Sequence, residues 1–313
     1  MNGKMKVVIV ANKTLPSKNG RFIDPISYDY IYKNFIKLGY ETIFYDTVEK
    51  QKENLVDLVN KEKPELIFCC MTGDKNLTPN EPWQEIRYIT KKKLAKTFNW
   101  FCDDAWRFEN FSSKVCWDFH FCSTPEEYCI EKYKNIGYKN IMSGFWHADA
   151  ELFNSNNNKD IDISFCGQLH SDRQKIISYL RNQNINVQHF SGVSTEEMKN
   201  IISRSKIGIN FSKNFNSKPP VLQVKGRMAE VVAGNALLVT EYAPDLERHF
   251  KIDNEIICFK SPNEAAKKIK FLLNNQAVLN KIRQNGYKRF LKDHDTKVRL
   301  KQIMEFVSEN SLY

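Results

Sequence analysis

The residues whose types and spacing best suit chemistry lie in "VKGRMAEVVAGNALLVTEYAPDLERHF", residues 224–250. Lys225 and Arg227 flank Gly226 just before a helical pattern that stops at Gly234, and Glu230 lies on that pattern. The apolar run Ala236 to Val239 then leads to Thr240 and Glu241. A second segment, "FCGQLHSDRQ" (165–174), leaves an apolar run and enters another helical pattern, with Ser171 or Asp172 as the expected N-cap. Gly167 there permits close backbone approach, and a helix N-terminus presents bare N–H groups. Two such helix ends with Lys225 and Arg227 suit a diphosphate, which dipole, backbone and cation would stabilise together. Glu230, about one turn further in, has the reach to accept hydrogen bonds from ribose hydroxyls. The alternative for Arg227 and Glu230 is an intrahelical i,i+3 ion pair worth only ~0.2–0.5 kcal/mol. Gly167, Arg173, Lys225, Arg227, Glu230 and Glu241 are thus the candidate nucleotide-binding residues.

A second constellation is acidic. Asp103 and Asp104 follow the apolar run "TFNWFC" (97–102), at the expected carboxyl end of a strand, where α/β sheets place their chemistry. Their functional reading is a general base or a hydroxyl ligand, and the alternative is a helix N-cap or a solvated loop acid. His147 and Asp149 are further candidates, although His147 beside Trp146 also reads as packing. The aromatics of "WFCDDAW" suit stacking on a sugar or burial in a core. The acidic pair is not D-x-D. GxGxxG after the first strand, GxxxxGK[ST], HExxH and GxSxG are all missing, which removes the usual dinucleotide, P-loop, metalloprotease and serine-hydrolase signatures.

These residues need a scaffold that brings strand ends and helix N-termini together. Short runs that are apolar throughout alternate with helical patterns, the mark of parallel sheets covered on both faces. Strands are expected at 6–11, 41–46, 65–71, 97–102, 119–123 and 140–144, with helices at 27–39, 50–62, 84–95 and 125–135 between them. The polar stretch "NSNNNKD" (154–160) reads as a linker. After it the alternation restarts with strands at 162–167, 186–190, 206–211, 235–241 and 255–259. Helices are expected at 171–182 and 195–203, and near 262–274, 276–291 and 296–309. This gives an α/β fold of two Rossmann-like domains, 1–153 and 160–313, facing a central cleft.

Among 313 residues, 42 per cent are apolar, an ordinary globular composition, and no run approaches the ~18 apolar residues of a membrane span. The first apolar run is too short for a signal peptide, and the eight cysteines form no CxxC pair. Buried free thiols and a cytoplasmic location are expected. The net charge is +10, and residues 265–301 hold eleven Lys/Arg against Asp293 and Asp295. That stretch reads as a solvated face or as a basic surface for an anionic partner such as lipid, nucleic acid or charged glycan.

The segment "KGRMAEVVAGNALLVTEYAPDLERHF…EIICFKSPNEAAKKIKFLL" resembles the nucleotide-sugar-binding segment of CgeB-like glycosyltransferases of the GT-B fold. Lys225, Arg227, Glu230, Ala233, Leu237, Leu238, Thr240, Leu246, Glu247 and Phe250 match the family pattern. Ala229 stands where the family has an aromatic, and the glycine is displaced to Gly234. "DISFCGQLHSDRQKIISYL" resembles the first strand–loop–helix of the same domain, and "NGYKRFLKDHDTKVRLKQIM" its closing helices. The resemblance implies a metal-independent transferase that moves a sugar from a UDP- or GDP-sugar, bound by the second domain, to an acceptor held by the first. The acceptor is a glycan, protein, lipid or nucleic acid. Related transferases often carry a second Glu eight residues before the ribose Glu, where this chain has Leu222. The competing readings are a nucleotide-sugar epimerase of the same shape and a non-catalytic partner protein with a degenerate cleft.

Overall fold

A computed structural model describes residues 5–17, 20–153, 158–215 and 218–310. The chain forms two compact units, Met1–Phe145 with Arg299–Tyr313, and Trp146–Val298. The sequence reading put the boundary in the polar stretch 154–160. The structure divides the chain before it, at Trp146, and returns the last residues to the first unit. Residues 154–157 of that stretch lie outside the described residues.

The first unit is built on six strands, β1 Lys6–Ala11, β2 Glu41–Asp46, β3 Leu66–Cys69, β4 Lys96–Trp100, β5 Phe121–Thr124 and β6 Ile141–Ser143. They pair in the order β2-β1-β3-β4-β5-β6, all parallel. Val7 to Ala11 of β1 are completely buried, as a central strand covered on both faces requires. The crossovers carry helices α1 Lys33–Lys37, α2 Leu55–Glu62, α3 Trp83–Lys92 and α4 Cys129–Asn135. Asn54 starts α2 by accepting a hydrogen bond from the Asp57 N–H at 2.9 Å.

Two departures from the expected elements lie at the carboxyl ends of β1 and β4. The expected helix 27–39 is π-helical over Pro25–Tyr32 before it tightens into α1, and a second π-helical turn spans Phe108–Ser112. A hairpin, Thr14–Ser17 paired with Gly20–Ile23, follows β1, and its second strand is exposed.

The second unit repeats the plan with β7 Ile161–Cys166, β8 Gln188–Phe190, β9 Ser205–Asn210, β10 Leu237–Glu241 and β11 Ile257–Phe259. The order is β8-β7-β9-β10-β11, again parallel, so the strand order reverses between β7 and β9. Its helices are α5 Ser171–Asn182, α6 Thr195–Arg204, α7 Gly226–Ala233, α8 Pro262–Asn274 and α9 Gln276–Asp293, while α10 Thr296–Glu309 starts in it and belongs from Arg299 to the first unit. A capping box of Ser194 and Glu197 fixes the start of α6. Gly208 in β9 lets α7 pack close, because a Cβ there would lie 2.6 Å from Val231. The far part of α10 packs with the first unit, where Phe306 meets Phe121 edge-on and the Val307 carbonyl accepts from Lys96 Nζ at 2.6 Å. All eight cysteines are free, and only Cys102 is not buried.

Candidate functional site

In open parallel sheets ligands bind beyond the carboxyl ends of the strands, at the point where strand order reverses. In the second unit that point lies above β7 and β9. β7 ends at Cys166, and Gly167 turns the chain: its N–H donates to the Phe190 carbonyl (2.9 Å), and its own carbonyl is 2.7 Å from His189 Nε2. A side chain at 167 would meet the Phe165 ring at 3.0 Å, so glycine is needed for this close passage.

α5 begins at Ser171, with His170 at the N-cap and no side-chain cap bond, so neither Ser171 nor Asp172 is the N-cap expected from sequence. Asp172 pairs instead with Lys213 at 2.7 Å. Arg173 occupies the first turn of α5. Its Nη1 donates to the Gln168 carbonyl at 3.0 Å, while its buried Nε has no hydrogen-bond partner. Burial lowers the pKa of this guanidinium. The nearby Glu241 opposes that shift, and the like charge of Arg227 adds to it.

α7 begins at Gly226 with Lys225 at the N-cap and no side-chain cap bond. The Trp146 ring packs on Gly226, 3.1 Å from where a Cβ would sit, and this brings the 146–149 segment beside the start of α7. Arg227 pairs with Glu230 at 2.8 Å, the intrahelical pair that spacing allows. The two flank the Cys166 thiol, which burial raises to about 11 against the pull of Arg227 and with the push of Glu230. Glu241, at the end of β10, accepts from the N–H groups of Ser212 (2.9 Å) and Lys213 (3.1 Å). It therefore fastens the loop after β9, whose Lys213 the sequence reading did not single out.

Arg173, Arg227, Glu230 and Glu241 are thus linked by contact or by field, with Gly167 at the turn after β7 and Lys225 at the N-cap of α7. The charges are unusual for where they stand. A helix N-terminus favours anions and disfavours cations. Lys225, Arg227 and Arg173 nevertheless occupy the N-cap or first turn of α7 and α5. An anion at these helix ends would resolve that conflict, since bare N–H groups and cations would then point the same charge at it.

The first unit separates the acidic pair. Asp104 is 1% exposed and accepts from Ser112 Oγ at 2.5 Å and Tyr133 Oη at 2.8 Å. Burial raises its pKa, while the bonds from Ser112, Tyr133 and Thr124 oppose the shift. Asp103 precedes the turn Asp104–Arg107, makes no side-chain cap bond and is partly exposed. It shares a small depression with Thr72, Cys102, Arg107 and Phe111. Arg107, not singled out from sequence, lies 4.2 Å over the Phe111 ring and donates to the Thr72 carbonyl at 2.5 Å. Trp100 belongs to the core, with Nε1 on the Gly144 carbonyl. His147 is buried in the second unit with Nδ1 2.9 Å from Thr296 Oγ1, and Asp149 caps the turn Ala150–Leu152 through the Glu151 N–H. Among the described residues no three His, Cys, Asp or Glu side chains are grouped as metal ligands, and no helix is long and apolar enough to cross a membrane.

Solved structures share this architecture over the whole chain. A glycosyltransferase from Rickettsia africae ESF-5 is 10% identical with a TM-score of 0.66, covering 99% of each chain. The Anabaena protein HepE, solved in complex with UDP-glucose, is 8% identical with a TM-score of 0.64, covering 98% of this chain and 100% of that one. A Listeria monocytogenes structure described as a UDP-N-acetylglucosamine 2-epimerase has a TM-score of 0.57 at 9% identity, covering 99% and 98%. The fold is of the GT-B class, α/β with two Rossmann-like domains. Residues 150–305 match the glycosyl transferase-like family model. A search of curated proteins finds no match to the sequence.

Proposed function

We propose that the protein transfers a sugar from a nucleoside diphosphate donor to an acceptor hydroxyl, with the donor held by residues 146–298 without a metal ion. The observation that carries this reading is the placement of Lys225, Arg227 and Arg173 at two helix N-termini beyond the carboxyl ends of the strands. A diphosphate would take their charge together with the free N–H groups, and Glu230 would turn from Arg227 to the ribose hydroxyls. UDP is favoured over GDP by the UDP and UDP-glucose complexes of similar fold. Membership of the CgeB-like branch rests on the 225–250 motif. A cytoplasmic location is part of this reading; no described helix is long and apolar enough to cross a membrane.

In the reaction the acceptor oxygen forms a bond to the anomeric carbon of the sugar. The bond from that carbon to the diphosphate breaks, and the nucleoside diphosphate leaves with the electron pair. The acceptor proton passes to a base, for which Asp103 is the candidate in the first unit because Asp104 is closed off by Ser112 and Tyr133. A base in this role contributes roughly 10²–10⁴-fold. An epimerase is the second reading, favoured by the Listeria structure; it would rearrange a UDP-sugar with no acceptor.

The test is a thermal-shift series with UDP, GDP and their sugars in the presence of EDTA. A ligand at ~100 times its dissociation constant adds ~2.7 kcal/mol to stability. A rise in melting temperature with UDP or UDP-sugar under EDTA supports the reading. A shift that appears only after magnesium or manganese is restored would refute metal independence, and no shift with any nucleotide would refute the donor site.

A further inference from the structure

Between Glu264 and Asp293 the chain has no acidic residue and eight cations. The structure sorts these cations by residue type. Arg283 turns inward to the Asn235 carbonyl, and Arg289 bonds the His249 carbonyl and Asp293. Lys268 pairs with Glu264 and Asp253. The cations left in solvent are all lysines: Lys267 and Lys270 on α8, and Lys281, Lys288 and Lys292 on α9. Among the described residues none of these five is in an ion pair.

On α9 they form a stripe. Val278, Lys281, Gln284, Lys288, Leu291 and Lys292 recur at helical spacing and are all exposed, while Leu279, Ile282, Gly286 and Phe290 bury the opposite face. Apolar side chains stand in solvent among the lysines. Leu291 is 43% exposed and Val278 37%, and Phe271, in the last turn of α8, is 55% exposed.

We propose that α8 and α9 form a docking surface for an anionic lipid bilayer. Three features favour a bilayer over a nucleic acid. The exposed cations are lysines, compact point charges suited to a diffuse negative surface potential, and the arginines that would grip individual phosphates face inward. The apolar side chains stand beside the charges, where they can enter the headgroup boundary while the lysines remain at its surface. No carboxylate interrupts the stretch. Lys281, Lys288 and Lys292 stand on the solvent face of α9, opposite the Gly286 face that packs on Val232 of α7, so their loss leaves nucleotide binding intact.

The experiment is co-sedimentation of the whole protein with vesicles of neutral phosphatidylcholine and of phosphatidylcholine with phosphatidylglycerol. A nucleic-acid duplex serves as a competing polyanion. The expected result is at least tenfold tighter binding to the anionic vesicles, weakened by salt, and loss of that preference in a Lys281→Gln/Lys288→Gln/Lys292→Gln variant with unchanged melting temperature. Leu291→Ser should reduce vesicle binding several-fold and leave duplex binding unaltered. If the triple variant melts early, Lys288→Gln alone carries the test, with a two- to fourfold loss expected. Equal binding to both vesicle types, no vesicle binding, or preference for the duplex would overturn the proposal.

Discussion

The two ends of α7 use cations in opposite ways. At its C-terminal end Lys159 Nζ donates to the carbonyls of Gly234 (3.1 Å) and Ser203 (2.5 Å), and Arg283 donates to the Asn235 carbonyl (3.1 Å). Gly234 caps α7, Asn235 follows it and Ser203 lies in the last turn of α6, so these donors satisfy carbonyls at or just beyond two helix ends and support folding. At the N-terminal end Lys225 and Arg227 stand where the dipole repels them, with Arg173 in the same position on α5. Glu230 offsets part of that cost for Arg227. The same kind of side chain thus satisfies carbonyls at one end and, in the proposed function, would hold a diphosphate at the other. Removing a cation from the C-terminal end should cost stability and spare ligand binding. Removing one from the N-terminal end should do the reverse.

Neighbouring carboxylates in the first unit show the same division, and breaking it should give the largest effect. Asp103→Asn should slow sugar release from the donor roughly 10²–10⁴-fold at unchanged donor affinity. Asp104→Ala should leave the Ser112 and Tyr133 hydroxyls without their acceptor and cost about 1–3 kcal/mol in denaturant unfolding. Equal kinetic losses from both variants, with no stability loss from Asp104→Ala, would erase the distinction.

Arg283→Met tests the structural end of α7. It should lower stability by about 1 kcal/mol, the worth of one carbonyl hydrogen bond, with nucleotide affinity unchanged. A separate effect is in pH. Burial, helped by Arg283, lowers the Lys159 pKa from 10.5 to about 7. Between those values the unfolded chain holds a proton that the folded chain has released, so this group makes stability rise with pH across the window. Urea unfolding from pH 7 to 10 should show that rise, and Lys159→Met should flatten it.

Most strands were legible as short, largely apolar runs, and β1 and β2 coincide with the expected 6–11 and 41–46. Helices α5, α8 and α10 also match, since amphipathic spacing and caps such as Ser261–Pro262 mark their limits. The π-helical Pro25–Tyr32 was not legible, because the same residues carry an α-like apolar spacing. Nor was the hairpin after β1, which has no buried face to impose a pattern. At the site, sequence brought Lys225, Arg227 and Glu230 forward as a unit, and the helix start is local enough to read. The separation of Asp103 from Asp104 depends on Ser112 and Tyr133, which only the tertiary fold brings to Asp104. The role of Glu241 as a clasp on Ser212 and Lys213 has the same origin.

The most direct test of the cation-bearing helix ends is titration calorimetry of UDP into the parent protein, Arg227→Ala and Arg173→Ala in EDTA, with unfolding measured on the same samples. Each substitution should weaken UDP by ~1.5–3 kcal/mol, the range for a charge-assisted hydrogen bond, while ligand-free stability stays level or rises. Unchanged UDP affinity in both variants, with stability lost instead, would show that these arginines are structural and contradict the account.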